Sequence, residues 1–307
     1  VPTAAIEYLS RALERAPDDP MILAAYAAAL ARRLSFGGRA SELEEARAVA
    51  ARALALAPDR PEPHVALASV LLHLADDVGA ARAVLDALQV APHHADAHQY
   101  LGLLAFEVVG AAEGLAHLYT ATTLDPSMLH ARWWIARGHA LLGEWARSDA
   151  IFDARPPEAE ETNDYWVNRA RALSYGRTPE RVAKYVAELS AAPDFATKAA
   201  LQAAIALMSG SAPAPDALRV LQDPNEPVSK RRASYLACVR AEIAGAIGDV
   251  DGVLRAVEEA DRAEFVDVVW VDACPNLEAA RRDPRFAELR ARVANRAARV
   301  RAVLAGR

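Results

Sequence analysis

The sequence predicts an all-α protein, a solenoid of stacked helix-turn-helix units, on three observations. Pro58, Pro92 and Pro126 stand 34 residues apart, each closing an apolar run of the form Leu/Val-x-Pro. Between them Leu67-Ala68 and Leu101-Gly102 recur at the same interval, as do Ala80 and Gly114, Val84 and Leu118, and Ala87 and Ala121. About a quarter of the residues are alanine, while strand-forming runs of Val, Ile and Thr are scarce. A unit this short buries its apolar face only against its neighbours, so the repeat predicts an elongated stack and not two compact domains.

The period and its apolar, small, small, large and Pro positions resemble the tetratricopeptide repeat, whose pattern is W-x2-L-G-x2-Y, then A-x3-F, then P. The match is good over residues 17–157 and loose over 158–262. The resemblance implies a right-handed superhelix in which the first helix of each unit lines a concave groove and the second forms the convex back. It also implies a surface that binds protein segments and carries no chemistry of its own. The expected organisation is 1–157 as well-matched repeats, 158–262 as degenerate hairpins and 263–307 as capping helices.

In order along the chain, the opening helix ends at Pro17 and Asp18-Asp19-Pro20 starts the next, acidic residues and proline both suiting a helix N-terminus. The chain begins without Met and with Ala5, Leu9, Ala12 and Pro17 spaced as in a second helix, so it is expected to be cut from something longer. The following unit carries seven extra residues around Leu34 to Ser41, read as a longer loop, with Ser41-Glu42-Leu43-Glu44 as a capping stretch and a helix from Glu42. Units closing at Pro92 and Pro126 follow, and another runs from Leu129 through a turn at Gly143 to Pro156-Pro157. Trp166-Val167-Asn168-Arg169-Ala170 echoes Trp134-Ile135-Ala136-Arg137-Gly138, which marks a further unit over about 160–192. Weaker units span 194–222, with a turn at Ser209 to Pro215, and 227–261, turning at Gly248-Asp249. Phe265 to Val271 has strand propensity but an all-helical setting, so a short apolar helix is expected. Asp283-Pro284 opens a last helix with Phe286, Leu289, Val293, Val300 and Leu304 on one face.

Composition narrows the function. A net charge of −6 and a pI near 5.8 describe an acidic protein and argue against general nucleic-acid binding. No apolar stretch reaches the roughly 18 residues of a membrane span, and Val1 to Arg15 reads as an amphipathic helix and not a signal peptide; a cytoplasmic location is expected. Cys238 and Cys274 are too few for a disulfide framework or a four-cysteine metal site. Phosphate loops, HExxH, CxxC and G-x-S-x-G motifs are missing, so the expectation is a non-enzyme without cofactor or metal.

Six of the eight histidines lie between His64 and His117. A metal site would need His93, His94 and His98 to converge with His130 or Asp96. Alternatively His64 and His98, 34 apart, hold one packing position in successive units. The aromatic residues Trp133, Trp134, Tyr165 and Trp166 cluster in two consecutive first helices. Stepping along the inner face from unit to unit gives Gln99, Leu103, Trp133, Arg137, Tyr165 and Arg169 as groove residues, with Arg137 and Arg169 pairing a partner's carboxylates. The alternative leaves one Trp of each pair in the core and the arginines on neighbouring glutamates. The Lys/Asn clamp by which chaperone-binding members of the resembled family grip a C-terminal carboxylate has no match here. The last stretch is basic, with Arg281, Arg282, Arg285, Arg290, Arg292, Arg296, Arg299, Arg301 and Arg307. It reads either as the solvated face of a capping helix or as a contact for an anionic surface.

Trp270-Val271-Asp272-Ala273-Cys274-Pro275, then Asp283-Pro284-Arg285-Phe286 and an Arg/Ala-rich helix, resembles the closing segment of repeat regions fused behind bacterial Ser/Thr protein kinases, nucleotide cyclases and transcriptional activators. That resemblance implies the C-terminal scaffolding part of a larger signalling protein, with a protein or peptide partner in the groove. Two other readings stand beside it. One is a free-standing protein that self-associates through the face of Ala5, Leu9 and Ala12, and the other an enzyme with a cleft among residues 158–262.

Overall fold

The computed structural model describes residues 2–35, 38–157, 159, 162–210 and 229–306. Among the described residues the regular structure is helical, sixteen α-helices and short 3₁₀ turns without a strand. The first helices of successive hairpins are α2 (Pro20–Leu34), α4 (Pro61–His73), α6 (Ala95–Val108), α8 (Leu129–Leu141) and α10 (Asn163–Tyr175). Each is followed by its second helix: α3 (Ala40–Leu56), α5 (Asp77–Val90), α7 (Ala111–Leu124), α9 (Trp145–Asp153) and α11 (Pro179–Ala191). Ahead of them stands α1 (Pro2–Arg15), packed on α2, and after them come α12 (Lys198–Met208), α13 (Lys230–Ala246), α14 (Val250–Arg262), α15 (Val268–Ala273) and α16 (Pro284–Ala305). Consecutive helices pack in pairs and pairs pack on the next, which makes the architecture an all-α solenoid.

Helix starts follow from local chemistry. The Asp19 carboxylate accepts from the backbone N–H groups of Met21 and Ile22 at 2.9 and 3.1 Å, with Pro20 in the first turn. Thr178 with Pro179, and Asp283 with Pro284, repeat the device at α11 and α16. In the long-loop unit the helix begins at Ala40, two residues before the expected Glu42, because the Glu42 carboxylate reaches back to the Arg39 N–H at 2.9 Å and caps the helix from inside. Residues 36–37 of that loop, and the second helix expected over the later part of 194–222, lie outside the described residues.

The repeat positions are the packing positions. Ala46, Ala50 and Ala53 of α3, Ala80, Val84 and Ala87 of α5, and Leu118 and Ala121 of α7 are all 0 % exposed. Gly114 sits in the same row because a Cβ there would overlap the Phe106 backbone of the paired α6. Val268–Ala273 is a short helix and not a strand.

From α13 onward the stack turns inward. α13 packs on α4 and α10, α15 on α6, and α16 on α5, α6 and α14. One hydrophobic core therefore runs from Ala68 to Leu304, across both of the boundaries expected at 157 and 262. A second cluster, Leu23 to Val70, holds the N-terminal hairpins. The segment from α13 to α16 thus forms an arm, with α13 and α15 against first helices and α16 against α5 and α6.

Candidate functional site: the arm-filled concave face

The arm is seated by a buried polar seam built from one repeat position after another. His73 and Glu107, 34 apart, end α4 and α6; Arg137 and Arg171, also 34 apart, stand in α8 and α10. All four are buried. Facing them are Ser229, Arg231 and Glu242 on or before α13, and Asp267 and Trp270 on or before α15.

Glu242 is the centre of the seam. It is 2 % exposed and accepts from Arg171 Nε and Nη2 at 2.8 and 2.7 Å, from the Tyr175 hydroxyl at 2.7 Å and from the Trp270 indole N–H at 2.7 Å. Arg137 Nε donates to the same Tyr175 hydroxyl at 3.2 Å. Burial alone would raise the Glu242 carboxyl, but the charge and hydrogen bonds of Arg171, with Arg137 and Tyr175, outweigh it and hold the group below the ordinary glutamate range. A second bidentate pair joins Arg231 to Glu107, at 2.8 Å for its Nη1 contact.

Between the two pairs lie groups whose ionisation is displaced. Burial pushes Asp77 up to about 7, Glu107 and Asp76 adding to the rise and Arg231 opposing it. Burial and then Glu107 push Asp267 up to about 7 as well, against Arg137 and Arg231. Burial, helped by the Arg231 charge, drives His73 down to about 4. His73 Nδ1 and the Ser229 hydroxyl lie 2.6 Å apart, and the same hydroxyl accepts from the Arg232 N–H at 3.1 Å, which joins the end of α4 to the start of α13.

The structure places the six groove residues of the sequence reading beneath this arm or between hairpins. Gln99, Leu103, Trp133, Arg137, Tyr165 and Arg169 are all between 0 and 7 % exposed, so none lines an open surface. Trp133 stacks on Phe152 with centroids 5.7 Å apart and meets Tyr165 edge-on at 5.1 Å. Arg169 is spent on the Tyr165 hydroxyl and Glu188, and the Arg137 guanidinium lies 4.9 Å from the Trp134 ring centre. The carboxylate that Arg137 faces is the chain's own Glu242, not that of a free segment. The seam itself was missed from the sequence. Its signal was a charged or histidine residue ending an apolar run, His73 after Val70-Leu71-Leu72 and Glu107 after Leu104-Ala105-Phe106, at one repeat position.

The histidines are clips. His64 Nε2 and His98 Nε2 donate to the Pro58 and Pro92 carbonyls at 2.8 and 2.9 Å, the same bond in two successive units. His98 also meets His117 Nδ1 to Nδ1 at 3.2 Å. Among the described residues no three His, Cys, Asp or Glu are placed to hold a metal ion. Four arginines of the basic last helix pair within the arm: Arg290 with Asp272, Arg292 and Arg296 with Asp261, and Arg285 with Asp251 and Asp283. Cys238 and Cys274 are buried free thiols. No helix among the described residues is long and apolar enough to cross a membrane. A cavity of about 370 Å³ between α11 and α12 is lined mainly by apolar side chains, among them Val186, Leu189 and Ile205, and holds no converging acid–base groups.

No family model matches the chain, and no curated protein matches it either. Solved structures do. YrrB, described as a TPR protein with an unusual peptide-binding site, is 20 % identical with a TM-score of 0.41, over 60 % of this chain and 93 % of its own. A tetratricopeptide repeat protein from Parabacteroides merdae is 16 % identical with a TM-score of 0.44, over 95 % and 92 %. TTC0263, a TPR protein of Thermus thermophilus, is 18 % identical with a TM-score of 0.40, over 62 % and 91 %. All three are tetratricopeptide-repeat proteins. At these values the likeness identifies no partner and no activity, and the architecture rests on the hairpins described above.

Proposed function

We propose that this chain is a non-catalytic protein-interaction scaffold that docks a protein partner along the outer row of its second helices. One observation carries the reading. Leu56, Val90 and Leu124, the last residues of α3, α5 and α7, stand 34 apart at one repeat position and are 48, 40 and 40 % exposed. Three successive units thus present an apolar side chain at the same place, a row that suits an extended protein partner. A partner segment in the concave face, as first expected, would require α13 and α15 to leave a seam of two buried bidentate ion pairs. The resemblance of the arm to closing segments behind bacterial kinases, cyclases and activators supports a further proposal, that the scaffold serves a larger cytoplasmic signalling protein.

A photo-crosslinking residue placed at Leu124, and as a control at the exposed Arg255 of α14, tests the row. The full chain is expected to form a protein adduct in cell extract through position 124 and not through 255. An equal yield at both positions, or none at position 124, overturns the reading.

A further inference from the structure

We propose that Tyr119 is an activated nucleophile that takes up one acyl group from a thioester or other activated ester, with His139 as its base and Glu144 positioning that base. The Tyr119 hydroxyl lies 2.7 Å from His139 Nε2, and His139 Nδ1 lies 2.7 Å from a Glu144 carboxylate oxygen. The hydrogen bond from His139, with that of Arg147, holds Glu144 below the ordinary glutamate range, so its carboxylate is ionised and accepts the Nδ1 proton. In the neutral ring this leaves Nε2 as the acceptor for the phenolic O–H. His139 is 3 % exposed while Tyr119 is 44 % exposed, so the base is shielded and the phenol is open to a reagent. A nucleophile on a base that a third group orients is the arrangement that activates serine and cysteine elsewhere.

The three side chains depart from the repeat together. One unit before and one after, Tyr119 is matched by Leu85 and Asp153, His139 by Ala105 and Leu173, and Glu144 by Gly110 and Thr178. Stacking of the hairpins therefore does not require this chain of bonds. Gly143, at φ +78°, doubles the backbone back so that the Glu144 N–H donates to the His139 carbonyl at 2.9 Å and the carboxylate reaches the ring. Arg147, the cation beside the phenol, is already paired with Glu144 at 3.1 Å, which favours an uncharged acyl carbonyl over a phosphoryl donor.

Burial, with the Glu144 charge and against that of Arg147, holds the Tyr119 phenol above its ordinary range, so the oxygen attacks as its proton leaves for His139. The Tyr119 oxygen bonds to the acyl carbon, the phenolic proton passes to Nε2, and the Glu144 carboxylate stabilises the imidazolium. The bond from the acyl carbon to the leaving thiol or alcohol then breaks, and that group takes the proton from Nε2. The product is an aryl ester on Tyr119 with His139 neutral again.

4-Nitrophenyl acetate added to the full chain tests this, with acetylation followed residue by residue in peptide mass spectra. Tyr8, 72 % exposed, is the internal reference. Tyr119 is expected to react about 100-fold faster than Tyr8, the lower end of what a positioned base contributes. Its rate is expected to level off with rising pH well before the phenol ionises, whereas a phenol without a base quickens up to about pH 10. Glu144→Gln keeps an acceptor for Nδ1 and the packing of His139 but removes the charge behind the imidazolium. That variant is expected to bring the Tyr119 rate toward that of Tyr8 with an unchanged circular dichroism spectrum. Equal rates at Tyr119 and Tyr8, a Tyr119 rate that climbs with pH as a bare phenol's does, or a Glu144→Gln chain as fast as the wild type would overturn the proposal.

Discussion

Removing the carboxylate at Glu242 should loosen the arm more than any single apolar truncation of similar size. In Glu242→Leu the Arg171 guanidinium, with its side chain 5 % exposed, keeps its charge and loses both of its bonds to Glu242. Breaking a buried pair from one side costs about 3–5 kcal/mol, because an uncompensated charge stays buried. The Tyr175 hydroxyl and the Trp270 indole lose their acceptor as well, which costs about 1–3 kcal/mol each where water does not replace it. Arg171→Met alone should cost a similar 3–5 kcal/mol or so from the other side. The double variant Arg171→Met/Glu242→Leu should be far less damaged than the sum of the two, since no charge of that pair is left buried alone. Urea unfolding followed by far-ultraviolet circular dichroism gives the whole array, and hydrogen exchange of the α13 and α15 amides follows the arm. An arm that melts earlier than the array in Glu242→Leu and recovers in the double variant is the expected pattern. Single losses below about 1 kcal/mol, the value of a surface pair, or losses that simply add, would refute the reasoning.

Two further outcomes follow from the same seam. Asp77 and Asp267 titrate at about 7 in the fold against an ordinary 3.8, so between these values the folded chain keeps protons that the unfolded chain has released. Their contribution to stability is full below the lower value and is lost as pH rises through the window. His73, moved from 6.5 to about 4, acts oppositely and removes stability as pH falls from 6.5 toward 4. Asp77→Asn should therefore gain on the wild type between pH 5 and pH 8, by about 2–4 kcal/mol in urea midpoints converted to free energy, and a constant difference would disprove the assignment. Gly245→Ala should destabilise although alanine is the better helix former by about 1 kcal/mol. A Cβ there would overlap the Asn276 carbonyl oxygen in the turn that follows α15, and a raised melting temperature would show that the turn gives way freely.

The sequence determined the hairpins. Proline 34 residues apart at 58, 92 and 126, small residues where two helices cross and carboxylate or hydroxyl caps before first turns are local rules. Each is satisfied by residues a few positions apart or one repeat away, so the buried row of Ala80, Val84, Ala87 and Ala121 and the short helix at 268–273 were legible. Even the histidine clips were legible in part, since His64 and His98 share a repeat position.

The inward turn of the arm rests on pairings between residues remote in sequence. Arg231 meets Glu107 across 124 positions and His73 meets Ser229 across 156, and no repeat spacing encodes such pairings. A groove-lining tryptophan and a core tryptophan have the same place in the sequence pattern, so Trp133 and Tyr165 gave no sign of facing Phe152 instead of solvent. The arginines were equally ambiguous, because a guanidinium on an inner helix pairs with whichever carboxylate the chain delivers. Here the chain delivers its own: Glu188 pairs with Arg169, and Glu242 stands by Arg137 across the Tyr175 hydroxyl, in the role first assigned to a partner, and the first helices become interior because burying their apolar faces against α13 and α15 removes them from water.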